Sequence, residues 1–276
     1  MTEYKFSVIV PVHYTITAAQ LKASLDSVML NQSMLPSEVV VVIDGTIDNY
    51  LSIFLRDYLS KSPISTMILN TGPVSKGPGV TRNFGVKHAS YPIIAFMDSD
   101  DVSLPNRFEQ QIPIIHNQNY DLVGGQIEEL DELLKNRISL RTVPLNDEDI
   151  KKEFKKRNPI NNVTVAIKKE AFLQVGGYPD LYFGEDYVLW VKMAEKKYRF
   201  LNLNTILVNV RTGDSFLNRR FGRDYFKKNI YLCMYLSKYP TVGFRYSFLR
   251  MVKFSLLFIL PKRLQYLFVK KYTRNL

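Results

Sequence analysis

"YPIIAFMDSDDVSLPNRFEQQ" (residues 91–111) decides how the chain is read. Its first half, Ile93 to Met97, is a short apolar run of the kind found in a strand buried on both faces. The run ends in Asp98, Asp100 and Asp101, three carboxylates within four residues. A helix is expected from "SLPNRFEQQ", with Pro105 near its first turn, and one acid before it would serve as a cap. Three acids so close repel one another unless a cation relieves them. Such oxygen ligands suit Mg²⁺ or Mn²⁺, held by one or two carboxylates together with the phosphates of a ligand. A D-x-D pattern alone is common, so capping and metal binding both stand as readings of it.

Working outward, residues 5–12 (KFSVIVPV) are β-branched and apolar, a buried strand. Residues 17–32 place Leu21, Leu25, Val28 and Met29 at helical spacing behind the cap candidate Thr17. Strands are expected over 37–45, 65–72 and 93–100, and helices over 46–61 and 79–89. This alternation predicts a mainly parallel sheet with helices on both faces. Ligands of such sheets sit beyond the carboxyl ends of the strands. His13, Asp44 and the acidic trio all lie at such ends. Further on, a strand is expected over 121–130 and a helix over 146–159, stopped by Pro159. Residues 161–180 read as a strand, a short helix and a Gly-Gly turn. A helix follows over 183–198, then one or two strands over 199–213.

The bulk numbers limit the options. With 276 residues, 46% of them hydrophobic, the chain can bury a sizeable core. Its one cysteine, Cys233, excludes an internal disulfide and a cysteine-rich zinc site, which suits a reducing, cytoplasmic setting. The first residues lack the pattern of a signal peptide. "FSLLFILP" is far shorter than the ~20 residues that span a bilayer. The net charge of +11 is uneven: residues 216–276 hold 14 bases and one acid, whereas residues 1–215 hold 23 bases and 25 acids. The near-neutral body argues against nucleic acid as a partner; the basic tail is either a solvated face or meets an anionic surface.

Two more places carry chemistry. Arg82, in "TRNFG", is a surface helix residue or an anion contact. "GED" (184–186) opens a helix whose dipole favours Glu185 and Asp186, and either carboxylate would also serve as a general base. "KGPG" (76–79) is a donor-rich loop. Neither G-x-x-x-x-G-K-[ST] nor a G-x-G-x-x-G after the first strand occurs, so no nucleotide site of those kinds is expected.

Taken in order, "SVIVPVHY", "LKASLDSVMLNQS", "EVVVVIDG", "TRNFGVKHA", "IIAFMDSDDVSLPNRFEQQ", "VGGQIEE", "GGYPD" and "GEDYVLWVKM" resemble the family 2 glycosyltransferases over most of residues 5–215. The resemblance implies the α/β GT-A fold, a Rossmann-like, mainly parallel sheet flanked by helices, followed here by a basic C-terminal helical tail. It implies a nucleotide-sugar-binding half (1–105), an acceptor-binding half of the same domain (106–215) and the tail (216–276). Pro11, Val12 and His13 would line the uracil or ribose pocket. Asp44 would contact the base, Arg82 the base or diphosphate, and Asp98 the ribose. Asp100 would bind the Mn²⁺ or Mg²⁺ that bridges the diphosphate, leaving Asp101 to help cap the next helix. Asp186 is the favoured general base, with Glu185 the close alternative. Ile43 replaces the family's usual first Asp. Arg211, Arg219 and Arg220 stand where a His is frequent, and would clamp the diphosphate.

The implied activity is inverting transfer of a sugar from a nucleotide donor, UDP-linked by expectation, to a saccharide or lipid-linked hydroxyl in surface-polysaccharide synthesis. The rivals are a sugar nucleotidyltransferase, whose Gly-rich signature "PVHYTITAAQ" lacks, and an inactive sugar-nucleotide-binding or membrane scaffold protein. In the tail, Arg245, Arg250 and Lys253 fall within an arc of about 140° on a helix. Residues 244–276 therefore read as a helix on the anionic inner face of the plasma membrane, with packing on the core or a homodimer as alternatives. Trp190 reads as core, with an acceptor-sugar platform as the alternative. His88 and His116 read as ordinary helix residues.

Overall fold

The computed structural model describes residues 4–181, 183–212 and 223–260. The first half follows the expected alternation. Strands β1 (Phe6–His13), β2 (Glu38–Asp44), β3 (Ser65–Asn70) and β4 (Ile93–Phe96) are separated by helices α1 (Ala18–Met29), α2 (Asn49–Ser60) and α3 (Pro78–His88). All three pairings among these strands are parallel. Helix α1 begins as its sequence predicts: Thr17 and Gln20 form a reciprocal capping box. Asp48 caps α2 by accepting the Leu51 N–H at 2.7 Å.

After β4 come β5 (Val102–Ser103), α4 (Arg107–Asn117), β6 (Leu122–Leu130), β7 (Arg137–Arg141) and α5 (Asp147–Glu153). Then follow β8 (Ala166–Lys168), α6 (Lys169–Gln174), α7 (Glu185–Glu195) and β9 (Phe200–Arg211). Among the described residues the strands form one sheet in the order β3-β2-β1-β4-β8-β6-β9-β5, with β7 paired to the later part of β6. The run of parallel neighbours is interrupted after β4 and resumes between β6 and β9. Strand β8 runs antiparallel to both β4 and β6. The chain reaches β8 from β7 through α5 and a short 3-10 turn at Asn162–Thr164.

Boundaries shift for local reasons. β4 closes at Phe96, so the acids lie beyond the strand. Helix α4 starts at Arg107, which leaves Pro105 ahead of it, and Asn106 makes no side-chain cap bond. Helix α5 ends at Glu153, well before Pro159. Strands β5 and β7, at the margins of the sheet, have no separate signal in the sequence.

Strand alternation divides the core. Val8, Val10, Val39, Val41 and Ala95 face one layer with Leu21, Leu25 and Phe108. Ile9, Val40, Val42, Ile94 and Phe96 face the other with Val86, Phe172 and the fully buried Trp190. Trp190 is thus a core residue and cannot serve as a sugar platform. Two helices close the described chain, α8 (Arg223–Leu236) and α9 (Phe244–Ile259), and no described helix is long and apolar enough to cross a membrane. Residues 261–276, part of the expected amphipathic tail, lie outside the described residues.

Helix α3 lies directly on β1 and β2 because Gly85 has no side chain. A Cβ there would come within 2.7 Å of Ile9 Cγ2 and 2.9 Å of Val42 Cγ2. Alanine improves helix propensity by about 1 kcal/mol. Overpacking against two buried β-branched side chains costs about 1–3 kcal/mol, so the packing cost wins. Gly85→Ala is expected to lower stability in urea denaturation.

Candidate active site

Three carboxyl ends converge at one edge. His13 and Asp44 are register partners at the ends of β1 and β2, and the acidic turn follows β4. Among the residues expected to line the base pocket, Val12 has its side chain fully buried under α1 and α2, so it can offer a ligand only backbone. Pro11 and His13 are half-buried. The His13 ring lies 4.1 Å from that of the exposed Tyr14. Tyr14, Asp44, Asp48 and Val74 contribute to an open cleft of about 640 Å³ beside these strand ends.

Asp44 organises that cleft. Its carboxylate accepts hydrogen bonds from the Lys76 N–H (2.7 Å), Ser75 Oγ (2.7 Å), Gly77 N–H (3.0 Å) and Thr71 Oγ1 (3.2 Å). Burial acts to raise its pKa, but these four donors outweigh it and hold the carboxyl below its ordinary value. Helix α3 has no side-chain cap of its own, and Asp44 satisfies the amides at its entrance. The 71–77 loop and the start of α3 are therefore fixed by one side chain of β2.

From α3, Arg82 reaches Asp98 directly: its Nη2 donates to Asp98 Oδ1 in an ion pair. Arg82 is only 5% exposed, so it stands behind Asp98 rather than at the open edge. Its Nε has no hydrogen-bond partner among the described residues, and its guanidinium lies 5.8 Å from the Tyr178 ring. Burial would lower its pKa, but Asp98, Tyr178 and Glu185 push it above the ordinary arginine range. Next to it, Asn83 Nδ2 donates to the Tyr178 carbonyl while Asn83 Oδ1 accepts the Tyr178 N–H (2.8 and 2.9 Å). That amide pair clamps "GGYPD" onto α3.

The acids after β4 separate. Asp98 is partly accessible and its backbone carbonyl accepts from Ser24 Oγ. Asp101 does not cap α4. It is buried, and its carboxylate accepts the Arg211 N–H at 2.9 Å, because the turn folds back against β9. Burial first, then the charges of Asp100 and Asp98, push its pKa well above the ordinary carboxylate value. Arg211 Nε donates to the Asp100 carbonyl at 2.6 Å, and its Nη1 to the Glu132 carbonyl. Its guanidinium is a strut for the turn instead of a free phosphate clamp; Arg219 and Arg220 lie outside the described residues.

No group of three or more His, Cys, Asp or Glu among the described residues would hold a metal by itself. The mutual repulsion of Asp98, Asp100 and Asp101 nevertheless makes the turn a fit for a divalent cation that brings phosphate oxygens as its other ligands. Sequence reasoning gave Arg107 no role, yet its fully buried guanidinium donates to the Phe96 carbonyl (2.8 Å) and to Gln111 Oε1 (3.0 Å). It fixes the last carbonyl of β4, from which the acidic turn springs.

The second carboxylate centre opens α7. Glu185 faces Arg82, with its pKa raised to about 7 by burial and the neighbouring Asp186, against the attraction of Arg82. Asp186 is held by both oxygens: Oδ2 accepts from Asn158 Nδ2 and Oδ1 from the Tyr187 N–H, each at 2.7 Å. Burial raises its pKa, opposed by Tyr187, Arg141, Arg82 and Asn158. Asn158 lies between α5 and Pro159, and Arg141 on β7, so neither had a sequence signal.

The fold and site define a mixed α/β sheet enzyme domain with two carboxylate centres meeting at a buried arginine. The model of glycosyl transferase family 2 matches residues 7–175, and the chain belongs to that family. It is 33% identical over 219 residues to an uncharacterized glycosyltransferase of Haemophilus influenzae, covering 79% of this chain and 80% of that one. It is 29% identical to the amylovoran biosynthesis glycosyltransferase AmsE of Erwinia amylovora (82% and 84% covered). It is 28% identical to an Escherichia coli UDP-Gal:alpha-D-GlcNAc-diphosphoundecaprenol beta-1,3-galactosyltransferase (80% and 79%). Among solved structures, S. aureus TarS (residues 1–349) superposes with a TM-score of 0.66 at 19% identity, covering 92% of this chain and 72% of that one, so the GT-A fold is shared.

An acid whose folded-state pKa is raised favours folding at low pH and loses that contribution as pH climbs through the folded value. For Glu185 the window runs from the ordinary glutamate value of 4.5 to about 7. Glu185→Gln is therefore expected to gain thermal stability relative to wild type between pH 5 and pH 8; a constant difference across that range would mean that Glu185 titrates normally.

Proposed function

We propose that this protein is a metal-dependent, inverting glycosyltransferase that moves a sugar from a UDP-linked donor to a lipid-linked saccharide in surface-polysaccharide synthesis. One observation carries the reading: the acidic turn after β4 and the carboxylates opening α7 meet across Arg82. A donor diphosphate at the turn would thereby lie next to a carboxylate able to take a proton. The names of the E. coli and E. amylovora relatives support the substrate classes. A TarS structure in complex with UDP-GlcNAc supports a nucleotide-sugar donor.

In this reading the nucleoside occupies the cleft lined by Asp44 and Tyr14, and Pro11, the Val12 backbone and His13 would meet it from the end of β1. Residues 1–105 serve the donor and residues 106–215 the acceptor. Asp98, oriented by Arg82, accepts from ribose hydroxyls. Asp100 would hold Mn²⁺ or Mg²⁺, which when bound offsets charge on the departing diphosphate. Asp186 takes the proton of the acceptor hydroxyl as that oxygen attacks the anomeric carbon from the face opposite the diphosphate, in one inverting displacement. Asp186 is preferred over Glu185 because its carboxylate is aimed by Asn158 and Tyr187, and Arg141 acts on it more strongly than Arg82 does.

The C-terminal helices suit a cytoplasmic protein seated on the inner membrane face. Phe244, Phe248, Leu249, Leu256 and Ile259 of α9 are exposed, together with Arg245 and Lys253. Arg250 departs from the expected basic arc and turns inward. Apolar side chains next to exposed bases fit an anionic interface.

General-base removal typically costs 10²- to 10⁴-fold, so Asp186→Asn is expected to lose transfer by about that factor with its thermal midpoint preserved. Asp100→Ala should abolish the stabilisation by UDP with Mn²⁺ in a thermal-shift assay, and full transfer by Asp186→Asn would remove that residue from the base role. For the membrane, the full chain is expected to sediment with phosphatidylglycerol vesicles and Leu249→Asp/Leu256→Asp to remain in solution. If that double variant instead turns a dimer into a monomer in light scattering, the face belongs to a second copy.

A further inference from the structure

Besides packing Leu232 and Leu236 into the core beside the catalytic helix, the two C-terminal helices make two contacts with it that bear on its carboxylates. The first is at Gly184, immediately before Glu185. Its φ is +73°, and a Cβ there would come within 2.5 Å of Leu232 Cδ2 on α8, so α8 rests against bare backbone at the start of α7. The second is a latch from α9. Arg250 Nη1 donates to Tyr187 Oη at 2.9 Å, with the guanidinium 5.2 Å from the Tyr187 ring. The Tyr187 hydroxyl donates in turn to the Phe154 carbonyl at the end of α5.

Tyr187 and the exit of α5 are also the two sources of the bonds that orient Asp186. The backbone N–H of Tyr187 holds Oδ1. Asn158, shortly after Phe154, holds Oδ2. A single guanidinium on α9 thus pins the phenol that ties α7 to the α5 segment, and these two pieces of chain grip the carboxylate from both sides. Burial pushes the Tyr187 phenol up to about 12 despite the Arg250 charge, so it stays a neutral hydroxyl that can accept from Arg250 and donate to Phe154.

We propose that Arg250 is a positioning residue for the transfer reaction, holding the Asp186 carboxylate in its productive orientation through Tyr187 and Phe154. This rests on the reading of Asp186 as the general base. It makes α8 and α9 part of the catalytic scaffold as well as a membrane-facing element. The chemical step, rather than donor binding, should depend on the latch, because the hydrogen bond and ring contact of Arg250 are with Tyr187 and not with Arg82, Asp98 or the Asp44 cleft.

The test uses the full chain and begins without substrate. In hydrogen exchange, Arg250→Met is expected to speed exchange of the Tyr187 amide about tenfold or more, with the β1 amides of Val8 and Val10 at wild-type protection, as local loosening requires. Arg250→Lys, which keeps one donor, should restore much of the protection. Unchanged exchange at Tyr187, or equal acceleration in β1, overturns the proposal. The second arm measures UDP released, with Mn²⁺, from a mixture of UDP-glucose, UDP-galactose and UDP-N-acetylglucosamine in the presence of undecaprenyl-diphosphate-linked N-acetylglucosamine. Arg250→Met is expected to lower kcat about 10- to 100-fold, the scale of a misplaced catalytic group, with donor KM within about twofold. It should cause no further loss in an Asp186→Asn background. Wild-type kcat in Arg250→Met alongside an inactive Asp186→Asn overturns the latch and leaves the base reading intact. Full activity in Asp186→Asn alongside altered Tyr187 exchange sinks the base reading instead.

Discussion

The ion pair between Arg82 and Asp98 is the constraint on which the site depends. A guanidinium this buried is tolerable only when paired, because the cost of removing a charge from water exceeds what neutral partners return. Arg82 can reach Asp98 only if α3 lies close on β1 and β2, if β4 ends at Phe96, and if the "GGYPD" turn closes over it. Each requirement is met by a specific device: the bare backbone of Gly85, the Arg107 bond to the Phe96 carbonyl, and the Asn83–Tyr178 amide pair. The same charge then acts on Glu185 and Asp186. The carboxylates after β4 and those opening α7, far apart in sequence, share one buried cation.

Much of this was legible from residue pattern. The buried β-branched runs that became β1 and β2 were unambiguous, because a strand covered on both faces has no other composition. Thr17 was recognisable as a cap, and the placing of Asp44 and the acidic trio at the sheet edge followed from alternation alone. What escaped the sequence was set by non-local pairing. β5 is two residues long and exists only because β9 runs alongside it. The reversal at β8 lies in its pairing with β4 and β6, not in the composition of Ala166–Lys168. Asp101 was misread as a cap since its partner, the Arg211 amide, lies 110 residues away.

The residues around Asp186 show the same limit. Asn158 and Arg141 carry no pattern, and nothing near Arg250 in sequence hints at Tyr187. "GED" was visible as a motif, while the means of aiming its aspartate were not. Val12 shows a different limit: the resemblance sets it at the pocket with Pro11 and His13, but strand alternation turns its side chain into the core and leaves a ligand only its backbone.

The pairing of β5 with β9 also bears on the order in which the molecule is made. Chains emerge N-terminus first, and domains tend to form in that order. The parallel strands β1 to β4 can associate once residue 96 is available. The turn that follows them is not complete until Val102 meets Asn209 and the Arg211 amide reaches Asp101. Closing a loop that long is slow and comes late. The nascent chain therefore possesses a sheet well before it possesses a site, and the acids that would recruit a nucleotide reach their final geometry only when most of the chain has been synthesised.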